Sequence, residues 1–402
     1  MLRVLIPTYA GDIHATAVAI ALKRKGHEPI LWHGADFPTR QCGSIKISQH
    51  AHSWQVHGVE LDEPAGSYDV VWFRRHTPAV LPQGLYPSDR QVAERSAEAF
   101  YRAIWQLVAP EAFWVNPLGL NFRADSKPIQ LLEASRAGFN IPSTLISNDP
   151  TEIRRFLAEN KGHTIYKSFR PAQWKTRRGV AYLFAADVSL DDLPEDELLR
   201  VTAGIYQRKL PKAYEIRATC FGDRIFAAKL YSQENKLAKA DWRRASNTLR
   251  LEPMTLEEDI RQRCVALMRR LGIVFGCFDF VVTPDDEIYF LEVNPMGQFL
   301  WIEAGDPSIL LLDAFCEFLI QKRIDFSWSP SSQSIRFAEI HAEAKDRNKA
   351  AAELHVVKPG RLGTDQSRKS SNQVTKEKQE LRRGRNEPAP TDRRRNDAQS
   401  AQ

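Results

Sequence analysis

Three oxygen-bearing side chains, Asp279, Glu292 and Asn294, stand within two apolar runs, Cys277-Phe278-Asp279-Phe280-Val281-Val282 and Tyr289-Phe290-Leu291-Glu292-Val293-Asn294-Pro295. Aromatic and β-branched residues make both runs strands. The turn-rich Thr283-Pro284-Asp285-Asp286-Glu287 between them makes the pair an antiparallel hairpin. A two- or four-residue turn centred between Asp285 and Asp286 sets Asp279 opposite Glu292 and Asn294 opposite Cys277, so the three oxygens share one face. Opposed Cβ atoms lie roughly 5 Å apart, close enough for two carboxylates and an amide to hold one hard cation. Mg²⁺ relieves their repulsion and, because it dehydrates reluctantly, leaves room for water and phosphate oxygens. The alternative is a hairpin with its acids on a solvated face, against which the flanking Phe, Leu and Val residues argue.

Cations of the kind that handle phosphate lie elsewhere in the chain. Lys127 follows Ser126 at the start of a helical pattern, so its ammonium and the first-turn N–H groups can face an anion together. Lys167 sits in a strand between Tyr166 and Ser168, where an unpaired ammonium is costly. The alternating run Tyr214-Glu215-Ile216-Arg217-Ala218-Thr219-Cys220 places Glu215, Arg217 and Thr219 on one face. A fixed guanidinium at Arg217 suits the spreading charge of a phosphoryl group in transfer. A Glu215–Arg217 surface ladder is the plainer alternative. Arg74 and Arg75 close a very apolar strand, the end of an α/β sheet where ligands bind, and suit an acidic substrate group. Arg243 in Asp241-Trp242-Arg243 can serve the same end, and Arg177-Arg178-Gly179 reads as a loop over the phosphates.

The elements that must position these residues follow from periodicity. Residues 2–6, 13–25 and 29–32 read as strand, helix and strand, and Tyr68 to Phe73 as a further strand. A helix near 89–109 precedes Val115-Asn116-Pro117. A helix from Ser126 to Gly138, a strand at Ser143 to Ile146 and a helix after Asp149-Pro150 come next. Strands recur at 163–168, 179–184, 203–207, 213–221 and 224–231, the last two joined by a tight turn at Gly222-Asp223; helices are expected at 255–271 and 307–322.

Composition narrows the field. With 402 residues and 43% hydrophobic side chains, the chain can bury two or three cores. No apolar stretch predicts a membrane span or secretory signal, so cytoplasmic residence is the expectation. Five cysteines without paired spacing point to buried thiols, not to zinc or disulfide frameworks. The net charge of +6 arises wholly after residue 330, where 16 basic side chains face 10 acidic ones and Phe337 is the sole aromatic. Nucleic acid is therefore not the expected partner, and residues 329–402 read as a disordered, solvating basic tail. No Gly-Lys-Ser phosphate loop, dinucleotide turn or nucleophile elbow is present. His50, His52 and His57 lack a carboxylate at ligand spacing.

Seven segments in order carry a resemblance: Val71-Trp72-Phe73-Arg74-Arg75, Trp114-Val115-Asn116-Pro117, Ser126-Lys127-Pro128-Ile129-Gln130-Leu131-Leu132, Ile141 to Pro150, Ile165-Tyr166-Lys167-Ser168, Asp241-Trp242-Arg243 and Leu291 to Gln298. Over roughly residues 1–325 the chain resembles the ATP-grasp superfamily, and within it the microviridin-type, or graspetide, ligases that cross-link ribosomally made precursor peptides. The resemblance implies an α/β fold with an N-terminal pre-ATP-grasp domain (1–118), a central subdomain (119–200) and a C-terminal subdomain (201–328), the last two sandwiching ATP. It implies that Lys127, Lys167 and Glu215 line the nucleotide pocket, that Tyr206-Gln207-Arg208-Lys209-Leu210 forms the adenine hinge through its backbone, and that Arg217 acts on an acyl phosphate. ATP and Mg²⁺ are the implied cofactors, the precursor's leader and core the implied partner, and a homodimer is possible. Two rivals stand: an ATP-grasp ligase acting on another substrate, such as a protein C-terminus or a small metabolite, and a nucleotide-binding regulatory module without chemistry.

Overall fold

The computed structural model describes residues 1–357 apart from 60, 65–67, 76, 170–171, 177–178, 184, 240 and 246–247, with backbone alone at 62–64, 172–176 and 179–183. Arg177 and Arg178, and everything after Val357, lie outside the described residues.

The N-terminal part begins β1 (Arg3–Thr8), α1 (Ile13–Arg24), β2 (Glu28–His33), then β3 (Gln41–Ile47), β4 (His52–Gly58), β5 (Leu61–Pro64), β6 (Val70–Trp72), α2 (Pro87–Leu107) and β7 (Phe113–Val115). Its main sheet is parallel in the order β2-β1-β6-β7, with a separate antiparallel sheet β3-β4-β5. The sheet is apolar on both sides, as a helix-covered parallel sheet must be. Asp12 caps α1, its carboxylate accepting the His14 and Ala15 N–H groups.

The chain continues through α3 (Leu118–Ala124), α4 (Lys127–Arg136), β8 (Thr144–Ser147), α5 (Pro150–Glu159), β9 (Thr164–Lys167), β10 (Ala172–Thr176), β11 (Gly179–Leu183), β12 (Ala186–Val188), α6 (Asp196–Val201) and β13 (Gly204–Arg208). The small central sheet has the order β12-β9-β13-β8. β13 lies beyond residue 200 yet pairs with β8 and β9, so the division expected at 200/201 cuts through this sheet. The helices α3 and α4 pack into the next unit and not into this one, because Leu131, Ala134 and Ala124 belong to its core.

That unit holds β14 (Tyr214–Phe221), β15 (Arg224–Leu230), β16 (Leu251–Met254), α7 (Glu258–Leu271), β17 (Phe275–Val282) and β18 (Ile288–Asn294), in the sheet order β16-β15-β14-β17-β18. As expected, Gly222-Asp223 forms the two-residue hairpin turn. Gly222 has φ +53°, and a Cβ there would meet the Ile324 carbonyl oxygen at 2.0 Å. One face of the sheet packs Ile216, Ala218, Cys220, Phe278, Phe280 and Phe290 against α7 and α4. The other face joins the N-terminal α1, β1 and β6 in one continuous core through Phe221, Phe275, Phe299 and Phe315. The central unit keeps a small core of its own, Ile153, Leu157, Leu199 and Tyr206. Its backbone is tied to the larger sheet where Asn140 bridges Tyr289 and where the Ala213 N–H donates to the Val282 carbonyl at 2.8 Å.

Last come α8 (Leu300–Gly305), α9 (Leu311–Gln321) and α10 (Phe337–Leu354). The expectation of disorder from residue 329 fails for α10. Phe337, Ile340 and Ala344 recur at helical spacing and are buried against α1, which offsets the ordering entropy that composition alone made prohibitive. Four cysteines are buried free thiols as expected, whereas Cys42 is exposed on β3. Among the described residues no helix is long and apolar enough to cross a membrane.

Candidate active site

Asp279 does face Glu292, but the turn expected to bring this about is not the one present. Pairing near the turn runs Val282 to Ile288 and Phe280 to Phe290, then steps by one residue so that Asp279 meets Glu292 and Cys277 meets Asn294. The turn is odd-numbered, closed by Thr283 N–H to the Glu287 carbonyl at 3.0 Å, with Asp286 at φ +61°. A bulge at Leu291 absorbs the extra residue and returns Glu292 to the face of Asp279.

Across the sheet, Arg217 of β14 pairs with Asp279, which pairs with Glu292, so cation, anion and anion form one row. The Arg217 Nη1 donates to Asp279 at 2.8 Å and its Nη2 to the Gln298 carbonyl at 3.0 Å, both side chains being 4% exposed. Two further cations complete the row. Lys127, the first residue of α4, pairs with Glu292, and Arg243 reaches Glu292 and, at 3.5 Å, Asp279. Burial pushes Asp279 up, with Arg217 and Arg243 opposing. Burial acts on Glu292 in the same sense, yet Lys127 and Arg243 hold it well below the usual range. Asn294 shares the face, its Oδ1 accepting the Met296 N–H at 3.0 Å and retaining a lone pair. A guanidinium spanning two carboxylates marks a place where positive charge is stabilised, and the donor set is the hard-oxygen kind that Mg²⁺ takes.

Lys167 comes from the facing central sheet, and its Nζ donates to Gln207 at 2.8 Å. Burial lowers it to about 8, although Glu292 opposes this. Gln207 in turn donates to Thr144, and Tyr206 packs inward against Tyr166. Arg208, the last residue of β13, and Lys209 point to solvent, Lys209 pairing with Asp187, and Leu210 beyond the strand is half-buried. The alternative Glu215–Arg217 ladder does not form. Glu215 pairs instead with Lys212 at 3.1 Å, and burial raises it.

Arg74, expected to suit an acidic substrate group, lies in the interior. It is 0% exposed, 3.4 Å from Asp12, and donates to the Met296 carbonyl, so the N-terminal sheet uses it to grip the segment after Asn294. A strand-end arginine reads as exposed only until the loop that covers it is known. Its neighbour Arg75 is half-buried.

Several supports were not legible. His14 accepts the N–H groups of Phe299 and Leu300, both at 3.1 Å. Burial lowers its pKa to about 3, which keeps it a neutral acceptor. The Asn116 amide donates to Phe275 and Pro295 carbonyls and accepts from Val274 and Phe275, sewing the end of β7 to both strands of the hairpin. Gln130 does the same for Val293. At Gly297 a Cβ would lie 2.4 Å from the Cys277 sulfur, and this close approach brings Gln298 to Arg217. Lys212 and Asp241, the latter 3.4 Å from Arg243, complete the charge network. Only their closeness in sequence to the hinge and to Trp242 hinted at them.

No protein-family description matches the chain, and no curated protein matches it in sequence. Its fold matches solved structures. A RiPP-associated ATP-grasp ligase of Chryseobacterium gregarium, in complex with ADP and a leader and core peptide, superposes with TM-score 0.73 at 24% identity, over 80% of this chain and 98% of that one. The macrocyclase MdnC of Microcystis aeruginosa, bound with precursor peptide MdnA, gives 0.71 at 25% identity, over 80% and 100%. The macrocyclase MdnB of the same organism gives 0.68 at 27%, over 80% and 99%.

Proposed function

We infer that this chain, which has the ATP-grasp fold of the microviridin-type macrocyclases, is an ATP-dependent ligase that cross-links side chains of a ribosomally made precursor peptide. The observation that carries the reading is the row Arg217, Asp279, Glu292 with Lys127 and Arg243 around it, lying between two sheets. Five charges gathered on one face of the sheet fit a site that takes an ionic ligand.

Lys127 at the start of α4 and Lys167 of β9 both act on Glu292 and suit the phosphates of ATP. In the segment Tyr206 to Leu210 the Arg208 and Lys209 N–H groups donate to Ser143 and His163, so the backbone offered to the base is that of Leu210, past the paired strand. Asp279, Glu292 and Asn294 would hold Mg²⁺, which when bound screens the triphosphate charge. Arg217, held from two sides, stabilises the negative charge that develops as a substrate carboxylate takes the γ-phosphoryl group and ADP leaves. The product is an acyl phosphate on a peptide Asp or Glu. A hydroxyl or amine of the peptide then attacks its carbonyl, phosphate departs, and an ester or amide forms. For an acidic substrate side chain we assign Arg75, half-buried, and Arg243, which would exchange one of its carboxylate partners Asp241, Asp279 and Glu292 for it. The protein's part is positioning and exclusion of water, so no nucleophilic side chain is required. Cytoplasmic residence, where ATP and precursor meet, and a homodimer belong to the same reading; light scattering tests the latter.

The experiment is incubation with ATP, Mg²⁺ and the short peptide encoded beside the gene. ADP release with loss of one water mass per bond is expected. ADP release without that mass loss would move the enzyme to another ATP-grasp ligation, and nucleotide binding without turnover would make it a regulatory module.

A further inference from the structure

The C-terminal helix ends on a cluster unrelated to the nucleotide site. After packing along α1, with Thr16 donating to Asn348 at 2.5 Å and Arg24 pairing with Glu343 at 2.8 Å, α10 hands the chain to His355 and Val356. These settle at the carboxyl end of β2. The His355 Nδ1 lies 2.6 Å from Asp36, and the Val356 N–H donates to the other Asp36 oxygen at 2.7 Å. The ring of His33 stands 3.8 Å from that of His355, centroid to centroid. All three side chains are buried, and one donor atom from each lies within 4.8 Å of the others. His33 and His355 are 322 positions apart, a separation that no ligand spacing along the sequence reveals. The solved relatives are covered over 98–100% of their length but this chain over only 80%. About a fifth of 402 residues, roughly 80, therefore has no counterpart there, more than the 45 that follow Val357 (402 − 357).

We propose that His33, Asp36 and His355 form a binding site for a divalent cation of the zinc class, which staples the C-terminal helix to the N-terminal domain. Two imidazoles and a carboxylate are a recurrent donor set for such ions, at about 2.0–2.2 Å from the metal. Imidazole donors disfavour Mg²⁺ and favour Zn²⁺, Co²⁺ or Ni²⁺. The nitrogen of His355 aimed at Asp36 is the natural donor atom, the ring's proton then sitting on Nε2. The Val356 N–H fixes the carboxylate so that its other oxygen faces the two rings, the orienting contact that metal-bound carboxylates use. The ligands come from two segments that no covalent link otherwise holds together, so binding free energy appears as docking of α10.

The test uses the full-length, tag-free protein, stripped with chelator and titrated with Co²⁺ as a spectroscopic probe, then with Zn²⁺ in competition. One equivalent of Co²⁺ should develop visible d–d bands that Zn²⁺ abolishes. Affinity should fall at least tenfold in His33→Gln and His355→Gln and persist in Glu292→Gln, which alters only the nucleotide site. Zn²⁺, but not Mg²⁺, should slow amide exchange across residues 337–356. Absence of the bands, or bands unchanged in both histidine variants, would overturn the site and leave Asp36–His355 as a plain hydrogen-bonded clasp. Should those variants fail to fold, the wild-type exchange experiment decides: equal exchange with and without Zn²⁺ refutes the proposal.

Discussion

Replacing Arg217 by Gln should destabilise the protein by about 3–5 kcal/mol, the usual cost of orphaning one member of a buried ion pair. The contact to Asp279 is 2.8 Å with both side chains 4% exposed. At an effective dielectric constant of about 20 its gross attraction is about 6 kcal/mol, and desolvation of the two ions offsets most of it. The net value of the pair is therefore small, while the penalty for breaking it is large. The Gln298 carbonyl adds little, because it also accepts the Trp301 indole N–H at 3.2 Å and is not orphaned. Asp279→Asn should cost a similar amount, and the double variant should fall short of the sum by about 2–3 kcal/mol, the upper part of the roughly 0.5–3 kcal/mol coupling found for contacting residues. Urea unfolding followed by tryptophan fluorescence, with Trp242 beneath the Arg217 guanidinium at 5.6 Å, measures all four corners of the cycle. Single variants that each lose less than about 1 kcal/mol, or a double variant additive within about 0.5 kcal/mol, would refute the reasoning.

Because burial brings Lys167 to about 8, its charge is lost as pH rises through that value. ATP affinity of the free protein, measured by calorimetry, should decline over the same interval, and Lys167→Arg should remove the decline. Glu292→Gln should raise the Mg²⁺ concentration needed for ADP release by more than the roughly 10–100-fold expected for second-sphere changes, read from Mg²⁺ titrations at fixed ATP. Glu303 accepts the Leu312 N–H at 2.7 Å and the Phe337 N–H at 2.6 Å, so Glu303→Ala leaves two buried donors unpaired. At about 1–3 kcal/mol each this should loosen α10, seen as faster amide exchange. Burial raises Glu303 from 4.5 to about 7 despite those donors, so between these values the folded chain holds a proton that the unfolded chain has lost. Stability should fall as pH rises through that window, and Glu303→Gln should flatten the profile in thermal melts.

What the sequence disclosed about this fold was whatever depends on local alternation. The strands carrying Arg217, Asp279 and Glu292, the helix start after Ser126 and the turn at Gly222 are all read within a few residues. The pairing of Asp279 with Glu292 emerged correctly from an incorrect turn, since the bulge at Leu291 cancels the error. Long-range closure was not legible. Burial of Arg74 depends on Met296, 222 residues away, and the inclusion of β13 in the central sheet depends on partners on both sides. The folding of α10 was hidden because average composition masks a three-residue apolar stripe. The sheet β3-β4-β5 was missed for want of sustained alternation.

Two backbone tethers of the central unit, at Asn140 and at Ala213, land on adjoining rungs of one hairpin, Tyr289 and Val282. Two attachment points on neighbouring rungs define an axis. The N-terminal and C-terminal sheets, sharing one core and sewn by Asn116, behave as a fixed anvil. Lys167 and Gln207, joined at 2.8 Å, belong to the sheet on the far side of that axis, whereas Asp279 and Glu292 belong to the anvil. The Leu291 bulge lies between those rungs and the acidic pair, so the register that seats Asp279 opposite Glu292 is set on the far side of the bulge from both tethers.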